Sequence, residues 1–550
     1  MSSHGPTAES LDRDQIHIKA GSLWRRLPLI GLVLAVLGAA GLFMSANGAK
    51  ARLHNAESAL HAATEKVQQS ASPAVKARYT AALEHHKALK EEFAKLIAAE
   101  RQAAEAWEMA AQGGNSVEAK KAAKTAESAS VKATAAVVRA RAELADADHE
   151  GEELLDALAE SAGAGVAEEF KSAKKEAALA HANEQQFWFS YLVAYMFFLA
   201  ISLGGLFFTI IQHLVRAGWS IVVRRLAENV MITLPLMGLL GLPFILLHDA
   251  PHALFHWTHL DAVEADLMLA SKAGYLNLEF FNTRLIVYFL VWTALSLFFY
   301  TQSTSQDSAS GDAALHKTLR MRWFAPLSLL FFAVTTTFAA FDLMMSLDPH
   351  WFSTMFGVYY FAGLALTSNA VLTIIVYSLH RSGYLKGVVT VEHYHDLGKL
   401  MFGFTVFWTY IGFSQYFLIW YANIPEETGW FGYRIMDDFL PLSQLVIFGR
   451  FVLPFFYLLR RPVKRNPQLL ILAAVFIVFM ELVDVYWLIQ PALAHSFAQE
   501  TGSHHMEMVI GGVDYLALLT IGGAFLAVFG WALARRALVP VKDPRLTESL

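Results

Sequence analysis

The sequence predicts an all-α polytopic membrane protein with ten transmembrane helices. The chain has 550 residues, of which 55% are hydrophobic, 13% aromatic and only 17% charged. This composition is typical of a protein that hides apolar side chains in lipid. Ten apolar runs also approach the 20 or so residues needed to cross about 30 Å of hydrocarbon. They lie near 27–47, 187–214, 228–248, 285–302, 323–345, 355–379, 400–421, 439–459, 468–489 and 510–534.

The first apolar run is interpreted as a retained anchor rather than a signal peptide. Arg25 and Arg26 precede it, as in a signal peptide, but the run is longer than a usual signal core and follows a polar stretch. The predicted organisation is therefore a tail at 1–26, a first helix at 27–47 and a nine-helix membrane domain at 187–534, followed by a tail at 535–550.

The distribution of Lys and Arg predicts which ends of the helices face the cytoplasm. Basic residues cluster in both tails and in every second short loop, whereas the alternate loops contain only Lys272, Arg284 and Arg434. Because cytoplasmic loops carry the excess of Lys and Arg, both termini are predicted to be cytoplasmic. We expect a multi-pass protein of the bacterial inner membrane.

The segment 48–186 differs from the rest of the chain. It is rich in Ala, Glu and Lys, which favour helix, and contains almost no aromatic residues. The predicted helix breaks are at Pro73, at Gly113-Gly114-Asn115, at Gly151 and at Gly163/Gly165, and the longest helix would have about 39 residues, by the spacing of these breakers. An antiparallel helical hairpin outside the cytoplasm is expected, either as a spacer or as a docking surface.

The absence of cysteine excludes several cofactors. Thiolate-bound iron–sulfur clusters, zinc ribbons, thioether-linked haem and disulfides all require Cys, and this chain has none. The formal net charge of −5 also gives no reason to expect a nucleic-acid partner. No redox cofactor or metal is therefore expected in this chain.

Three ionisable residues lie inside predicted spans eight and nine. Arg450 falls near the centre of one span, and Glu481 and Asp484 near the centre of the next, which runs antiparallel to it. Because a charge at mid-membrane costs about 2.5–3.5 kcal/mol, an ion pair between Arg450 and Glu481 is predicted. This pair is either a structural bridge or, with Asp484 three residues on, part of a proton relay.

Asp342 and Asp348 lie at the outer end of predicted span five. Asp342 is within the outer third of the membrane, too deep for a helix cap, and is interpreted as functional. Asp348 and His350 are predicted at the outer surface, where Asp348-Pro349 could simply end the helix.

A run of titratable residues precedes predicted span seven. It contains two His, two acids and a Lys, namely Glu392, His393, His395, Asp396 and Lys399. Because His titrates near neutral pH, this run could collect protons; it could equally form an N-terminal cap in which Asp396 favours the helix dipole. Farther along the span, Tyr410, Ser414 and Gln415 either extend a hydrogen-bonded path or bond to neighbouring helices.

The loop after span three is rich in histidine. Its polar residues are His248, Asp249, His252, His256 and His259. Pro251 is expected to break the helix that would align three of these histidines, so a metal or haem site is not favoured. These residues, with His350, Glu426 and Glu427, are predicted to shape a pocket mouth or to dock an extrinsic subunit. No nucleotide-binding or peptidase motif stands out.

Several runs resemble a known family. They are Leu247–His259, Tyr275–Arg284, Phe341–Ser353, Glu392–Lys399 and Phe413–Glu427. These runs are similar to the ActF family, the second large membrane subunits of bacterial alternative complex III, and more broadly to NrfD/polysulfide-reductase membrane anchors. The resemblance is closest over about 210–490 and does not cover the 48–186 segment.

The resemblance implies a ten-helix subunit with two four-helix bundles and two peripheral helices. It implies partners: a sister quinol-binding membrane subunit, an extrinsic iron–sulfur/molybdopterin-like subunit, multihaem and monohaem c-type cytochromes, and a terminal oxidase as electron acceptor. The family is described as quinone-binding, so quinone or quinol remains open as a ligand, although the sister subunit is the better candidate.

The sequence therefore predicts a membrane subunit of a quinol:cytochrome c oxidoreductase that contributes a proton-conducting path and docks redox subunits. A purely structural anchor is the alternative. A solute transporter is less favoured, because no inverted repeat or matching pair of interrupted spans stands out.

Overall fold

The chain is described here by a computed structural model. The description covers residues 13–112, 117–501, 506–508 and 510–550, so the first twelve residues of the predicted N-terminal tail lie outside it. Within these ranges the regular secondary structure is helical and no strand is present. The predicted all-α class is confirmed.

Fourteen helices form the framework. Their bounds are α1 Leu23–Ser70, α2 Pro73–Ala111, α3 Val117–Ser161, α4 Ala164–Leu214, α5 Ile221–Met231, α6 Leu234–Leu240, α7 Leu278–Gln306, α8 Asp312–Leu343, α9 Phe356–Arg381, α10 Val391–Ala422, α11 Phe439–Leu445, α12 Leu453–Leu459, α13 Pro467–Thr501 and α14 Gly512–Arg535. A π-helical segment, Val446–Val452, joins α11 to α12. Further short helices lie at Arg13–Ile16, Pro243–Leu246, Asp249–Leu254, His256–Thr258, Leu260–Ala265, Leu267–Lys272, Met345–Leu347, Pro425–Gly432, Arg461–Arg465 and Leu546–Glu548.

Many of these helices could cross a membrane. Within the described ranges, 9 helical stretches are long and apolar enough to span a bilayer. They coincide with nine of the predicted spans and indicate a multi-pass membrane protein. The remaining predicted span, 400–421, lies within α10, which has 32 residues and is therefore about 48 Å long at 1.5 Å per residue. The count of ten spans stays a prediction.

The described residues of 49–181 and 257–277 form one compact unit. In it, α2 and α3 pack together around Phe93, Val137 and Leu144. A second apolar cluster joins the end of α1 to the facing parts of α3 and α4, with Val67, Leu158 and Phe170 at its centre. Each pair joins a helix before residues 113–116 to a helix after them, with Lys66 paired to Glu169, Ser72 to Ser161 and Glu100 to Thr134, which is the antiparallel arrangement expected of a hairpin. The position of this segment outside the cytoplasm stays a prediction.

The predicted helix breaks in this unit are borne out at two places and wrong at a third. Pro73 begins α2, where Ser72 caps the helix, and Gly163 adopts a φ of 106° between α3 and α4. Gly151, however, lies inside α3, which has 45 residues. A single helical Gly costs only about 1 kcal/mol, which the Ala-rich sequence around it tolerates. The break at 113–115 lies outside the described residues.

The second unit, formed by the described residues of 13–48, 182–256 and 278–550, contains the other described helices. Its core includes Leu226, Val376, Leu397 and Ile477, from α5, α9, α10 and α13. The predicted boundaries at 47/48 and 186/187 are not helix ends, because α1 and α4 run through them. In α1 and α4 the amino-acid composition changes along the helix, but the helix itself continues through the change.

Residues after α14 fold back onto this second unit. The Leu538 amide donates to the Ile16 carbonyl (2.8 Å), and the Ser549 hydroxyl donates to the Trp219 carbonyl (2.7 Å). Asp543 accepts a hydrogen bond from Arg224 (2.6 Å), and both side chains are buried. The predicted tail at 535–550 is thus a packed element.

Candidate functional site

Arg450 and two acids form a buried cluster between the π-helical segment and α13. The Arg450 guanidinium bonds Glu481, lies 3.5 Å from an Asp484 oxygen and donates to the Met480 carbonyl (3.1 Å). Each of the three residues is at most 2% exposed. The predicted Arg450–Glu481 pair is present, and Asp484 joins it.

Hydroxyl groups on α9 complete this cluster. Tyr359 donates to Asp484 (2.6 Å), and Thr367 donates to Glu481 (2.6 Å). The sequence reasoning missed both residues, because a single hydroxyl in an apolar run gives no periodic signal. Their spacing of eight residues places them on one face of α9, which was the only available clue.

The backbone of α9 approaches the cluster closely at Gly363. A Cβ at this position would lie 2.7 Å from Arg450 Nη2 and 3.3 Å from Glu481 Oε1. On the α10 side, the guanidinium of Arg450 lies 4.7 Å from the Trp408 ring centroid, within cation–π range. The charged groups are thus enclosed by α9, α10 and α13.

The cluster contains one permanent cation and two carboxyl groups. If both acids ionised, the buried set of Arg450, Glu481 and Asp484 would carry a net charge of −1, which is costly away from water. One proton shared by the acids makes the set neutral. This arrangement can hold and exchange one proton, with the Tyr359 hydroxyl as a neighbouring donor and acceptor.

An apolar cavity of about 790 Å³ adjoins the cluster. Its wall is largely aromatic and includes Phe356, Tyr359, Trp408, Tyr410, Phe413, Tyr416, Trp430, Phe431, Phe451, Phe455 and Trp487. Tyr359 therefore contacts Asp484 and also lines the cavity. Cavities of roughly 300–1,000 Å³ that are mostly apolar, with a few polar groups, are typical ligand sites.

Arg434 organises the aromatic wall on one side of this cavity. Its guanidinium donates to the carbonyls of Trp430 (2.8 Å) and Leu488 (2.8 Å) and lies 3.4 Å from the Trp430 ring centroid. Burial lowers the pKa of Arg434 to about 9, and the charge of Asp348 opposes that shift. Arg434 therefore remains charged at neutral pH, and half-buried Asp348 supplies a nearby negative charge.

The three polar residues of α10 have different surroundings, and their part in a hydrogen-bonded path stays a prediction. Ser414 donates to the Ile411 carbonyl of its own helix (3.1 Å). Tyr410 is 66% exposed, and Gln415 is 6% exposed; both line the cavity. Gln415 Oε1 has no hydrogen-bond partner among the described residues.

Asp342 lies in a different buried bridge. Its carboxylate accepts hydrogen bonds from Arg284 (2.9 and 2.8 Å) and from Tyr288 (2.8 Å), both on α7. Asp342 is fully buried, but none of these partners belongs to the Arg450 cluster. The partner Arg284 was counted only as a loop charge, although it lies four residues before Tyr288 on one helix face. Its role in a proton path stays a prediction.

The titratable run at the start of α10 is an ion-pair network. Glu392 accepts from Arg465 (2.7 Å) and lies 3.6 Å from His395, while Lys399 pairs with Asp396. The Arg465 guanidinium lowers the pKa of Glu392, whereas burial and then Lys399 lower the pKa of His395. At neutral pH this surface therefore presents an ionised Glu392 and a neutral His395.

The helix cap is not formed by Asp396. Thr390 precedes α10, and His393 Nδ1 accepts a hydrogen bond from the Thr390 amide (3.1 Å). Asp396 lies in the second turn and uses its carboxylate for Lys399. Burial lowers the pKa of His393, which lies 3.3 Å from the Ser549 hydroxyl. The neutral imidazole acts here as the cap.

The histidine-rich loop forms no metal site in the part of the chain that is described. The rings of His248 and His252 lie with their centroids 4.0 Å apart and their planes tilted by 34°. Pro251 does not break the helix as predicted, since it lies inside Asp249–Leu254; that helix ends before His256. His256, His259 and His350 are exposed, Asp249 is exposed, and Glu427 is half-buried. The Glu426 side chain lies outside the described residues. No group of three or more His, Asp or Glu within the described ranges could hold a metal ion.

Comparison of the chain with protein-family models and with curated proteins found no match. The membrane architecture and the geometry of the buried cluster therefore carry the functional argument.

Proposed function

We propose that this chain conducts protons within a bacterial inner-membrane quinol:cytochrome c oxidoreductase of the alternative complex III type. The observation that carries the proposal is the charge imbalance of the buried cluster, in which Arg450 faces Glu481 and Asp484. A structural bridge needs only one acid for one arginine. The second acid gives the site a proton that can be exchanged.

The surroundings of the cluster supply groups that could pass this proton on. Tyr359 connects Asp484 to the cavity, and Thr367 connects Glu481 to the interior face of α9. Toward the predicted cytoplasmic end of α9, Asn369 and Thr373 are buried as well. In this proposal the α10 network of Glu392, His393, His395, Asp396 and Lys399 is the cytoplasmic entrance, while Asp348 marks the outer exit.

Because this chain contains no cysteine, the proposal assigns electron transfer to its partners. They would be the sister quinol-binding subunit, an extrinsic iron–sulfur subunit and c-type cytochromes. The chain would then have no redox centre of its own and would couple their chemistry to proton movement.

The test is proton translocation by the quinol-oxidising complex in sealed vesicles, with quinol oxidation measured separately. Glu481→Gln and Asp484→Asn should assemble and oxidise quinol, yet translocate fewer protons per electron. Tyr359→Phe should lower translocation less, because it removes one hydroxyl and leaves both acids. Unchanged proton yield in both acid variants would leave the cluster as a structural bridge, as expected of a purely structural anchor.

Asp342→Asn tests a third buried acid in the same assay. A stable complex with lower proton yield would include the Arg284–Asp342 bridge in the path. A complex with normal proton yield and lower thermal stability would show that this bridge is structural.

A second candidate function is binding of a quinone or quinol in the apolar cavity, favoured by Gln415. The buried Oε1 of this residue is a hydrogen-bond acceptor without a partner in the described structure, and it lies at the wall of a cavity large enough for an aromatic ring and part of a prenyl chain. Quenching of Trp fluorescence by a water-soluble ubiquinol analogue would measure binding, since Trp408, Trp430 and Trp487 line the cavity.

Gln415→Leu should weaken this binding about tenfold, because the ligand loses one hydrogen bond in an apolar site. Ser414→Ala is the matched control, since Ser414 neighbours Gln415 but bonds its own helix. Equal quenching in both variants and in the unmodified protein would exclude the cavity as the quinol site.

A further inference from the structure

A second cavity, of about 550 Å³, lies at the predicted cytoplasmic ends of α9 and α13. It is lined by residues from three elements: the end of α9, the start of α10 and the turn before α13. Its lining side chains include Tyr377, His380, Arg381, Tyr394, Arg465 and Gln468. None of these groups belongs to the Arg450 cluster or lines the apolar cavity beside it.

The cavity wall is basic. Arg381 and Arg465 contribute two guanidinium groups, and no Asp or Glu is among the lining residues. Lys386 adds a positive charge close enough to act on His380. The nearest acid is Glu392, which pairs with Arg465 at 2.7 Å but has a side chain that is 61% exposed.

Neither arginine is fully committed to another group. Arg381 is exposed, and its side chain forms no ion pair or hydrogen bond within the described part of the chain. The Arg465–Glu392 pair is open to solvent, and such exposed pairs contribute only about 0–1 kcal/mol. Both guanidinium groups can therefore turn toward an anion, and their planar, forked donors suit phosphate oxygens.

The backbone amides at the N-terminus of α13 are not free to bind an anion. Asn466 Oδ1 accepts hydrogen bonds from the amides of Gln468 (2.9 Å) and Leu469 (3.4 Å), so these donors are already used. His380 Nδ1 lies 3.2 Å from the Tyr394 hydroxyl, which holds the floor of the cavity in place. An anion in this cavity would therefore be bound by the two arginines, above the polar surface formed by His380 and Tyr394.

An apolar stripe on α13 begins beside this basic cavity. Leu469, Leu472, Val475 and Phe479 are 37%, 62%, 53% and 53% exposed and lie on one side of the helix. In a spanning helix such a stripe faces the acyl chains of lipid. The basic pocket lies where α9 ends and α13 begins, at the end of this stripe. The pocket therefore suits the charged headgroup of a phospholipid, and the stripe suits its acyl chain.

We propose that this cavity binds the phosphate headgroup of an anionic phospholipid, whose acyl chain lies along the α13 stripe. Arg381 and Arg465 contact the phosphate, and Gln468 with Tyr377 borders the glycerol. Basic pockets between transmembrane helices on the cytoplasmic side recognise anionic headgroups in this way.

The test uses the purified full-length protein in a neutral detergent. Native mass spectrometry would count bound lipid after addition of phosphatidylglycerol or phosphatidylcholine, and thermal unfolding would be measured with each lipid and with inorganic phosphate. We expect phosphatidylglycerol to bind at least about tenfold more tightly than phosphatidylcholine, because the arginines prefer an anion without a neighbouring ammonium group.

Arg381→Gln with Arg465→Gln should remove this preference, and Arg381→Lys should reduce it by keeping the charge but losing the fork. Arg461→Gln is the matched control, because Arg461 lies on the same exposed turn but does not line the cavity. Equal affinity for the two lipids, or a preference that survives the double substitution, would overturn the proposal. Stabilisation by inorganic phosphate equal to that by phosphatidylglycerol would make the site one for free phosphate and would also overturn it.

Discussion

Arg450 and Arg284 show how the protein neutralises buried charge in two ways. Arg284 meets one carboxylate, Asp342, through two nitrogens, so the bridge is neutral with the acid ionised. Arg450 meets two acids on α13, and neutrality there requires one proton. The number of acids per arginine therefore differs between these two sites.

The Arg284–Asp342 bridge predicts a large effect of a single substitution. Asp342→Asn would leave Arg284 without its counter-charge in a site where Arg284 is 7% exposed, at a cost of about 3–5 kcal/mol. Replacing both residues, with Arg284→Met and Asp342→Leu, should recover most of this loss. Unfolding of the purified protein in mixed micelles measures both effects. Asp312→Asn, an exposed acid at the start of α8, is the control, and an equal loss in that variant would contradict the prediction.

His393 predicts a pH-dependent stability. Burial lowers its pKa in the folded protein below the usual value of about 6.5, so the unfolded chain binds more protons as pH falls. The contribution is fully present above about pH 6.5 and is lost as pH falls through the folded-state pKa. His393→Gln should keep the cap, since Gln at this position completes a capping box. The substitution should remove the pH-dependent contribution of His393 to stability.

The measurement is thermal unfolding of wild type and His393→Gln across this pH range. We expect the wild type to lose melting temperature more steeply than the variant as pH falls below about 6.5. His316→Gln, at an exposed position on α8, should follow the wild type. Parallel curves of melting temperature against pH for all three proteins would show that His393 does not contribute to the pH dependence of stability.

At the scale of elements, the first part of α1 packs on α14 through small residues. A Cβ at Gly523 would lie 2.4 Å from the Ala35 amide nitrogen and 2.7 Å from the Gly31 carbonyl oxygen. Gly31 and Ala35 on α1 face Gly523 and Ala527 on α14 at matching spacings of four residues. Close approach through small residues is a common way for helices to associate in lipid.

Gly523→Ala is therefore expected to destabilise the protein by about 1–3 kcal/mol, because backbone atoms rather than flexible side chains must move. Gly403→Ala in α10 is the control, since nothing lies within 4 Å of its added Cβ. That change should stabilise the helix by up to about 1 kcal/mol. The free energy of unfolding of both variants in detergent tests this prediction. The prediction is wrong if both substitutions stabilise the protein or both destabilise it.

The π-helical segment shows how an element can position a single side chain. Arg450 lies within Val446–Val452, where the wider turn changes the direction of side chains relative to an α-helix. Its guanidinium is thereby directed to α13. If this segment were assumed to be α-helical, the predicted depth of Arg450 would be correct, but the predicted direction of its side chain would not.

At the scale of the whole molecule, the basic loops predict which side of the membrane each turn occupies. Ser310, between α7 and α8, should be cytoplasmic, and Ser271, before α7, should be outside. Both are exposed, and the natural chain contains no cysteine, so single substitutions to Cys introduce the only thiol. A membrane-impermeant maleimide applied to spheroplasts should label Ser271→Cys at once and Ser310→Cys only after lysis. Labelling of both before lysis would contradict the topology.

Composition and hydrophobic run length determined the class of this protein, because transfer of apolar helices into lipid depends on local sequence. The same local logic predicted the Arg450–Glu481 pair, since two charges at equal depth in antiparallel neighbours have few alternatives to one another. It also predicted the helix start at Pro73 and the turn at Gly163 from backbone chemistry.

Only the tertiary structure decided which groups complete each buried site. The partners Tyr359, Thr367, Arg284 and Tyr288 lie far along the chain from the acids they bond, and each is an ordinary residue for its helix. Their contacts depend on the rotation of helices about their own axes, which is set by packing across the unit. Depth in the membrane is a property of a segment, whereas the facing of a side chain is a property of the packed fold, and the proposed proton site depends on both.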